Sequence, residues 1–252
     1  MTMLLPTISE QVNGIIWRIE IDETTSTLCL EVRNTEDKQV SFASINLTNG
    51  ITNFKELTTP ERWLTGMEAV YNGVLLLHHY QSEKSPVHKA IVAINVTTGA
   101  TLWSNYTYAF DSLSVNGPIV YNIQVQPKKL LLADVKTGTA LRSFEHLIDS
   151  EILNNIIAPQ LLPTSALPQQ LKIEPHGNII HYLEYNKLII VSLHTFNAGL
   201  LQQHIYILDG ADVVYEDILN TDIQKLQPEA FIVHKNCLIY IKNRSELKVI
   251  NL

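Results

Sequence analysis

The sequence predicts an all-β protein, a β-propeller of five blades with four antiparallel strands each, closed by the N-terminal segment. Three observations carry that expectation. A nine-residue phrase recurs as Phe42-Ala-Ser-Ile-Asn-Leu-Thr-Asn-Gly50, Ile91-Val-Ala-Ile-Asn-Val-Thr-Thr-Gly99 and Leu130-Leu-Leu-Ala-Asp-Val-Lys-Thr-Gly138, with shorter echoes at 207–210 and 249–251. Its Asn/Asp position falls at residues 46, 95, 134, 209 and 251, and three of the four intervals match the ~40 to 50 residues of a four-stranded blade. Apolar runs rich in β-branched and aromatic residues flank every copy, as strands require.

Each copy reads as a strand, an Asn or Asp, a turn closed by Gly, and a second strand; Phe54 and Trp103 stand four residues after the Gly in two copies. That is a hairpin written several times. The first unit has strands at 15–21, 27–33, 41–47 and 51–57, and the second at 66–70, 74–80, 89–95 and 100–106. A third unit runs from 113 to 145. The fourth has strands at 179–185, 188–194, 204–209 and 212–216. The fifth offers only three, at 230–233, 237–242 and 246–252, and residues 2–8 are the expected donor of its missing outer strand, since pairing the termini removes an open edge. Residues 146–177, interrupted by Pro163, Pro168 and Pro175, read as a loop insertion, the alternative being a degenerate sixth blade, with a short helix expected at 150–157. The whole of 1–252 is expected to be one domain.

Composition bounds the function. Hydrophobic residues make up 46% and charged residues 17% of the 252, a globular balance, and no apolar run approaches the roughly 18 residues of a membrane span. The start, Met1-Thr-Met-Leu-Leu-Pro-Thr-Ile-Ser-Glu10, lacks the basic and apolar regions of a secretory signal, so a cytoplasmic protein is expected. The net charge of −7, with no basic run longer than Lys128-Lys129, argues against nucleic acid as a partner. No membrane partner is expected. Cys29 and Cys237 lie in apolar runs, where a thiol behaves as a small hydrophobe. The Asn-X-Ser/Thr triplets at Asn46, Asn95, Asn105 and Asn243 read as turn chemistry.

The phrase Ala93-Ile-Asn-Val-Thr-Thr-Gly-Ala-Thr-Leu-Trp103 resembles the repeat of quinoprotein-type β-propellers, whose pattern is roughly Ala-Leu-Asp-X-X-Thr-Gly-X-X-Leu-Trp, and residues 130–145 fit it more loosely. Over residues 15–252 the chain is also similar to a bacterial family of quinoprotein-like propellers with no assigned activity. The resemblance implies fold rather than chemistry. It brings no cofactor set that these residues match, and no cofactor or metal is expected.

The resemblance further implies a binding face built from the ends of the second strands and the loops after them. Arg33, His78, His79, His88 and His194 are the ligand-binding candidates there. His78 and His79 are strand neighbours and point to opposite sides, so one at most faces a given site. Glu31 and Arg33 are two apart and share a face, where they pair with each other or bind a polar ligand. Trp17, Arg18 and His181, on innermost strands, are candidates for a central channel, and Trp103 is expected to pack between repeats. No Gly-X-Ser-X-Gly elbow, phosphate loop, Cys-X-X-Cys or His-Glu-X-X-His spacing occurs. The reading is therefore a ligand-binding or protein-interaction module with a small-molecule or protein partner; the alternative is a small-substrate enzyme, a hydrolase or lyase, using His and carboxylate residues.

Overall fold

The computed structural model describes residues 3–252. Along the chain, β1 (Pro6–Gln11) is followed by three four-stranded antiparallel sheets. The first is β2 (Ile15–Asp22), β3 (Thr27–Asn34), β4 (Gln39–Asn46) and β5 (Thr52–Leu57). The second is β6 (Thr65–Tyr71), β7 (Val74–Ser82), β8 (Ser85–Asn95) and β9 (Thr101–Asn105). The third is β10 (Tyr108–Ser114), β11 (Gly117–Asn122), β12 (Leu130–Ala133) and β13 (Ala140–Ser143). Then come β14 (Ile156–Ile157), β15 (Gln160–Pro163), a 3-10 turn at Thr164–Ala166, β16 (Ile179–Tyr185), β17 (Leu188–Asn197), β18 (Leu200–Asp209) and β19 (Asp212–Ile223). The chain ends in β20 (Ile232–His234), β21 (Cys237–Lys242) and β22 (Glu246–Asn251). Strands β15 to β19 form a five-stranded sheet, and the fifth sheet runs β1-β22-β21-β20-β14. Among the described residues no helix is long and apolar enough to cross a membrane.

The expected closed propeller is corrected by this topology. Among the described residues the strands form five separate antiparallel sheets of four or five strands, and none closes into a ring. Chain contacts resolve into two compact units. One joins the N-terminal residues up to Val12 to Asn155–Leu252, and the other is Asn13–Asn154. The reason lies in what the repeat encodes. Its turn chemistry specifies a hairpin, which is local, whereas closure depends on how one sheet meets the next, which a strand-and-turn period does not carry.

The turns themselves are three copies of one device. The side-chain oxygen of Asn46 accepts from the N–H groups of Thr48 and Asn49, that of Asn95 from Thr97 and Thr98, and that of Asp134 from Lys136 and Thr137, at 2.8–3.2 Å. In each copy the closing Gly donates back to the main-chain oxygen of the Asn or Asp at 2.8–2.9 Å. Gly50, Gly99 and Gly138 hold φ of 71–72°, a region open to glycine at little cost.

Within the 13–154 unit, Phe42, Met67, Val70, Leu75 and Val92 pack in one cluster, and Leu76, Ile91, Ala93, Val120 and Ala133 in another. Trp103 bridges successive repeats there: its indole donates to Val135 O at 2.8 Å, and its ring lies 2.6 Å from where a Gly138 Cβ would stand. Cys29 is fully buried and free, and burial pushes its thiol up to about 12. In the other unit the core gathers residues of β17 to β22 around Ile190, Ile205, Ile207, Val233 and Leu238.

The N-terminal segment supplies the strand beside β22, as expected, but over Pro6–Gln11, with Ser9 opposite Lys248, so that of residues 2–8 Pro6 and Ile8 are paired there; Thr2 lies outside the described residues. One feature of that unit corrects the sequence reading. The 146–177 segment holds no helix at 150–157. It lends β14 to one sheet and β15 to another, where Leu161 pairs with His181, and so lengthens each to five strands.

Candidate functional site

The chemistry converges on the second sheet. Gly66 of β6 pairs with His78 of β7, and Tyr80 of β7 pairs with His88 of β8. Two bulges interrupt this pairing. In β6 the partners jump from Met67 to Ala69 while β7 advances by one, which leaves Glu68 as the extra residue. In β8, Ala90 and Ile91 together stand opposite His78, between the Leu77–Val92 and His79–Lys89 pairs. Bulges bend a strand and re-aim its side chains. Here Met67 and Val70, three apart, reach the same apolar cluster, and Glu68 sits at the change of phase. Ala90 holds φ of 61°, a left-handed conformation that costs an L-residue about 1–2 kcal/mol. Strain of this kind persists where surrounding packing enforces it, two residues from His88.

The result is a tight group of one carboxylate and two imidazoles. Glu68 Oε1 lies 2.8 Å from His88 Nδ1, within hydrogen-bond reach, and 3.2 Å from His78 Nδ1. The two rings stack, with centroids 3.6 Å apart and planes 7° from parallel, and Tyr80 stands edge-on to both at 4.5 and 5.0 Å. His78 is 2% exposed, yet neither ring nitrogen makes a hydrogen bond; the Glu68 contact is close but not aligned as one. Burial pushes the Glu68 carboxyl up, but the two imidazoles outweigh it and hold the group below its ordinary range. Gly66 is required by this packing, because a Cβ there would stand 2.8 Å from His78 Cε1, 2.9 Å from its Nε2 and 3.2 Å from Glu31 Oε2.

A shell of charged and aromatic groups fixes the backbone of β6. Glu31, 2% exposed, accepts from the Met67 N–H at 2.7 Å through Oε2 and from Arg33 Nε at 2.7 Å through Oε1. Arg33 also donates to Thr65 O at 3.0 Å, and its guanidinium lies 5.4–5.9 Å from the rings of Trp17, Trp63 and Tyr80, within cation–π range. Arg18 donates to Met67 O and Glu68 O at 2.6 and 2.9 Å. Arg18 and Arg33 are thus spent on holding protein groups.

Of the sequence candidates, His78 and His88 belong to this group, Arg18 and Arg33 hold the backbone of β6, and Trp17 stands against the Arg33 guanidinium. His79 points to the other side of β7, 6.1 Å from the Tyr106 ring, and burial lowers its imidazole. Of the channel candidates, Trp17 is 65% exposed and Arg18 is turned to the carbonyls of β6. His181 and His194 belong to the unit of residues 155–252. There His194 Nε2 accepts from the Gln227 N–H at 3.0 Å, and His181 Nε2 contacts Pro228 O at 3.0 Å. The residue that sequence reading missed is Glu68. Its only sequence signal was a charge in an otherwise apolar strand, Gly66-Met-Glu-Ala-Val70.

Cavity and chemistry do not coincide. A groove of about 480 Å³ is lined by Asn220, Lys225, Gln227, Asn243 and Arg244 among others, in the 155–252 unit. Its lining is largely open to solvent, so the clustered and partly buried groups of the second sheet are the stronger chemical signal.

No curated protein matches the chain. Among solved structures, the crystal structure of Chaetomium thermophilum Raptor is similar over 99% of this chain at 9% identity and a TM-score of 0.32. The match spans 29% of that protein's length, and likeness at this level carries no argument for this chain. Residues 21–103 match the family model described as Domain of unknown function (DUF4905), a span that holds Glu31, Arg33, Glu68, His78 and His88.

Proposed function

We propose that this chain is a ligand-binding module whose site is the group of Glu68, His78 and His88 on the second sheet. The observation that carries the reading is His78, a buried imidazole whose Nδ1 faces the Glu68 carboxylate at 3.2 Å out of hydrogen-bond alignment and whose Nε2 makes no hydrogen bond. Leaving a buried nitrogen such as Nε2 without a hydrogen bond costs about 1–3 kcal/mol, and a strained Ala90 and two bulges add to the cost of keeping the ring there. Expense of that kind is offset when an outside partner takes up the free nitrogens. Arg33 and Arg18 support the site by pinning β6, and they are not themselves offered to a ligand.

The test is ¹⁵N NMR of histidine-labelled full-length protein, following the ring nitrogens of His78 during separate titrations with Zn²⁺, inorganic phosphate and acetate. A saturable response of His78 at near-equimolar probe is expected for one of the three. If His78 is indifferent to all of them and its nitrogens report only water, the reading fails.

A further inference from the structure

We propose that the ligand is a divalent transition-metal ion, bound by Glu68, His78 and His88. This deepens the ligand-binding reading and rests on it.

The donor set comes first. Two imidazoles and one carboxylate suit zinc and its neighbours, and three protein ligands leave a position for water or a further ligand. The geometry is close to what such an ion needs. One ligand atom from each residue lies within 4.8 Å of the others. Bonds of 2.0–2.2 Å in a tetrahedral site place ligand atoms about 3.3–3.5 Å apart, against the present 2.8 and 3.2 Å from Glu68 Oε1 to the two Nδ1 atoms. In distance alone, the two separations from Glu68 Oε1 need to open by only a few tenths of an ångström.

His78 provides the independent observation. It is buried, and its Nδ1 is turned toward Glu68 without a hydrogen bond. Metal-bound imidazoles usually give their other nitrogen to a carboxylate or carbonyl. His78 Nε2 and Glu31 Oε2 flank one point, the place of a missing Gly66 side chain, which puts a carboxylate on that second side. Glu31 in turn is held by Arg33 and the Met67 N–H.

One movement is required. Parallel rings direct their in-plane lone pairs along parallel lines, so the stacked imidazoles cannot both aim at a single ion. His78 is locked, whereas the His88 side chain is 33% exposed and stands on the open side of the group. His88 therefore tilts out of the stack when metal binds: its Nδ1–H bond to Glu68 breaks, that proton is released to solvent or the ring takes the other tautomer with its proton on Nε2, and the freed lone pair binds the ion.

The experiment is isothermal titration of full-length, chelator-treated protein with Zn²⁺, beside Glu68→Gln and His88→Gln. These two variants keep similar volume, and circular dichroism checks that they fold. One Zn²⁺ per chain is expected, with affinity falling at least about tenfold in either variant, since even outer partners of a metal site are worth 10–100-fold. Zinc binding that both folded variants retain would overturn the proposal, because the ion would then sit on other histidines. If Zn²⁺ does not bind but phosphate or acetate shifts the His78 nitrogens, the metal inference fails and the ligand-binding reading stands. If no probe reaches His78, both fall.

Discussion

The imidazole of His88 lies stacked on that of His78, 3.6 Å away and 7° from parallel. Residues ten apart in sequence meet because β7 and β8 form a hairpin, and because the β8 bulge at Ala90 and Ile91 resets the register between them. The stack shields one face of the buried His78, and Glu68 holds both Nδ1 edges on the same side. A partly exposed ring covering a buried one is an arrangement that can open without unfolding the sheet.

Gly66 is where this packing is most easily tested. Gly66→Ala is expected to leave the fold intact and to displace His78, whose ring would otherwise be 2.8 Å from the new methyl. Overpacking of this kind costs about 1–3 kcal/mol. Urea denaturation gives the loss, and the His78 resonances in the same variant should move more than those of His194.

The repeated turns make a graded prediction. Gly99→Ala and Gly138→Ala each force an L-residue to φ near 71–72°, a strain of about 1–2 kcal/mol. Gly138→Ala also drives a methyl to 2.6 Å from the Trp103 ring, whereas at Gly99 the nearest atom is Phe54 Cδ1 at an ordinary 3.4 Å. Gly138→Ala should therefore be the more destabilised by a further 1–3 kcal/mol or so. Equal losses in the two denaturation curves would show that Trp103 does not press on that turn.

Glu31 and Arg33 should behave as a coupled pair. Arg33→Met leaves the Glu31 carboxylate buried with the Met67 N–H as its remaining partner among the contacts described, and stranding a buried charge costs about 3–5 kcal/mol. Glu31→Gln in the same chain removes that charge while keeping an acceptor for Met67. The double variant is expected to be more stable than Arg33→Met alone, a non-additivity read from a double-mutant cycle.

His194 sets a pH dependence in the 155–252 unit. Burial first, then the nearby His181, His176 and His204, lower its imidazole from the ordinary 6.5 to about 4. The unfolded chain takes up a proton near 6.5 and the folded chain resists until about 4. Stability from this group is therefore whole above 6.5 and falls as the pH drops through that window. The neutral ring is the form that accepts the Gln227 N–H. Proton NMR should find His194 titrating well below the ordinary 6.5, and His194→Gln should flatten the acid side of the stability curve. A midpoint for His194 near 6.5 would contradict this.

The legible part of the fold was local. Alternating apolar runs and the Asn/Asp-to-Gly phrase marked the strands of the first, second, fourth and fifth units and the three repeated turns, because the side-chain caps of Asn46, Asn95 and Asp134 act within four residues. Trp103 against Gly138 was legible as a repeat aromatic. Ring closure was not, since it depends on sheet-to-sheet placement, and the structure shows separate sheets instead. The segment at 146–177 read as a loop because its prolines break any long ladder, yet two short pieces suffice for edge strands. His78 and His88 stood out in sequence as rare titratable residues at a strand end. Glu68 did not, because the bulge that brings it to them is a backbone event with no sequence motif.

The most direct measurement is zinc-edge anomalous diffraction from crystals of the protein supplied with one equivalent of Zn²⁺. A single strong peak is expected about 2.0–2.2 Å from a nitrogen of each of His78 and His88 and from a Glu68 oxygen, with the His88 ring tilted out of its stack. A peak elsewhere, or none with the 2.8 Å Glu68–His88 hydrogen bond still in place, would contradict it.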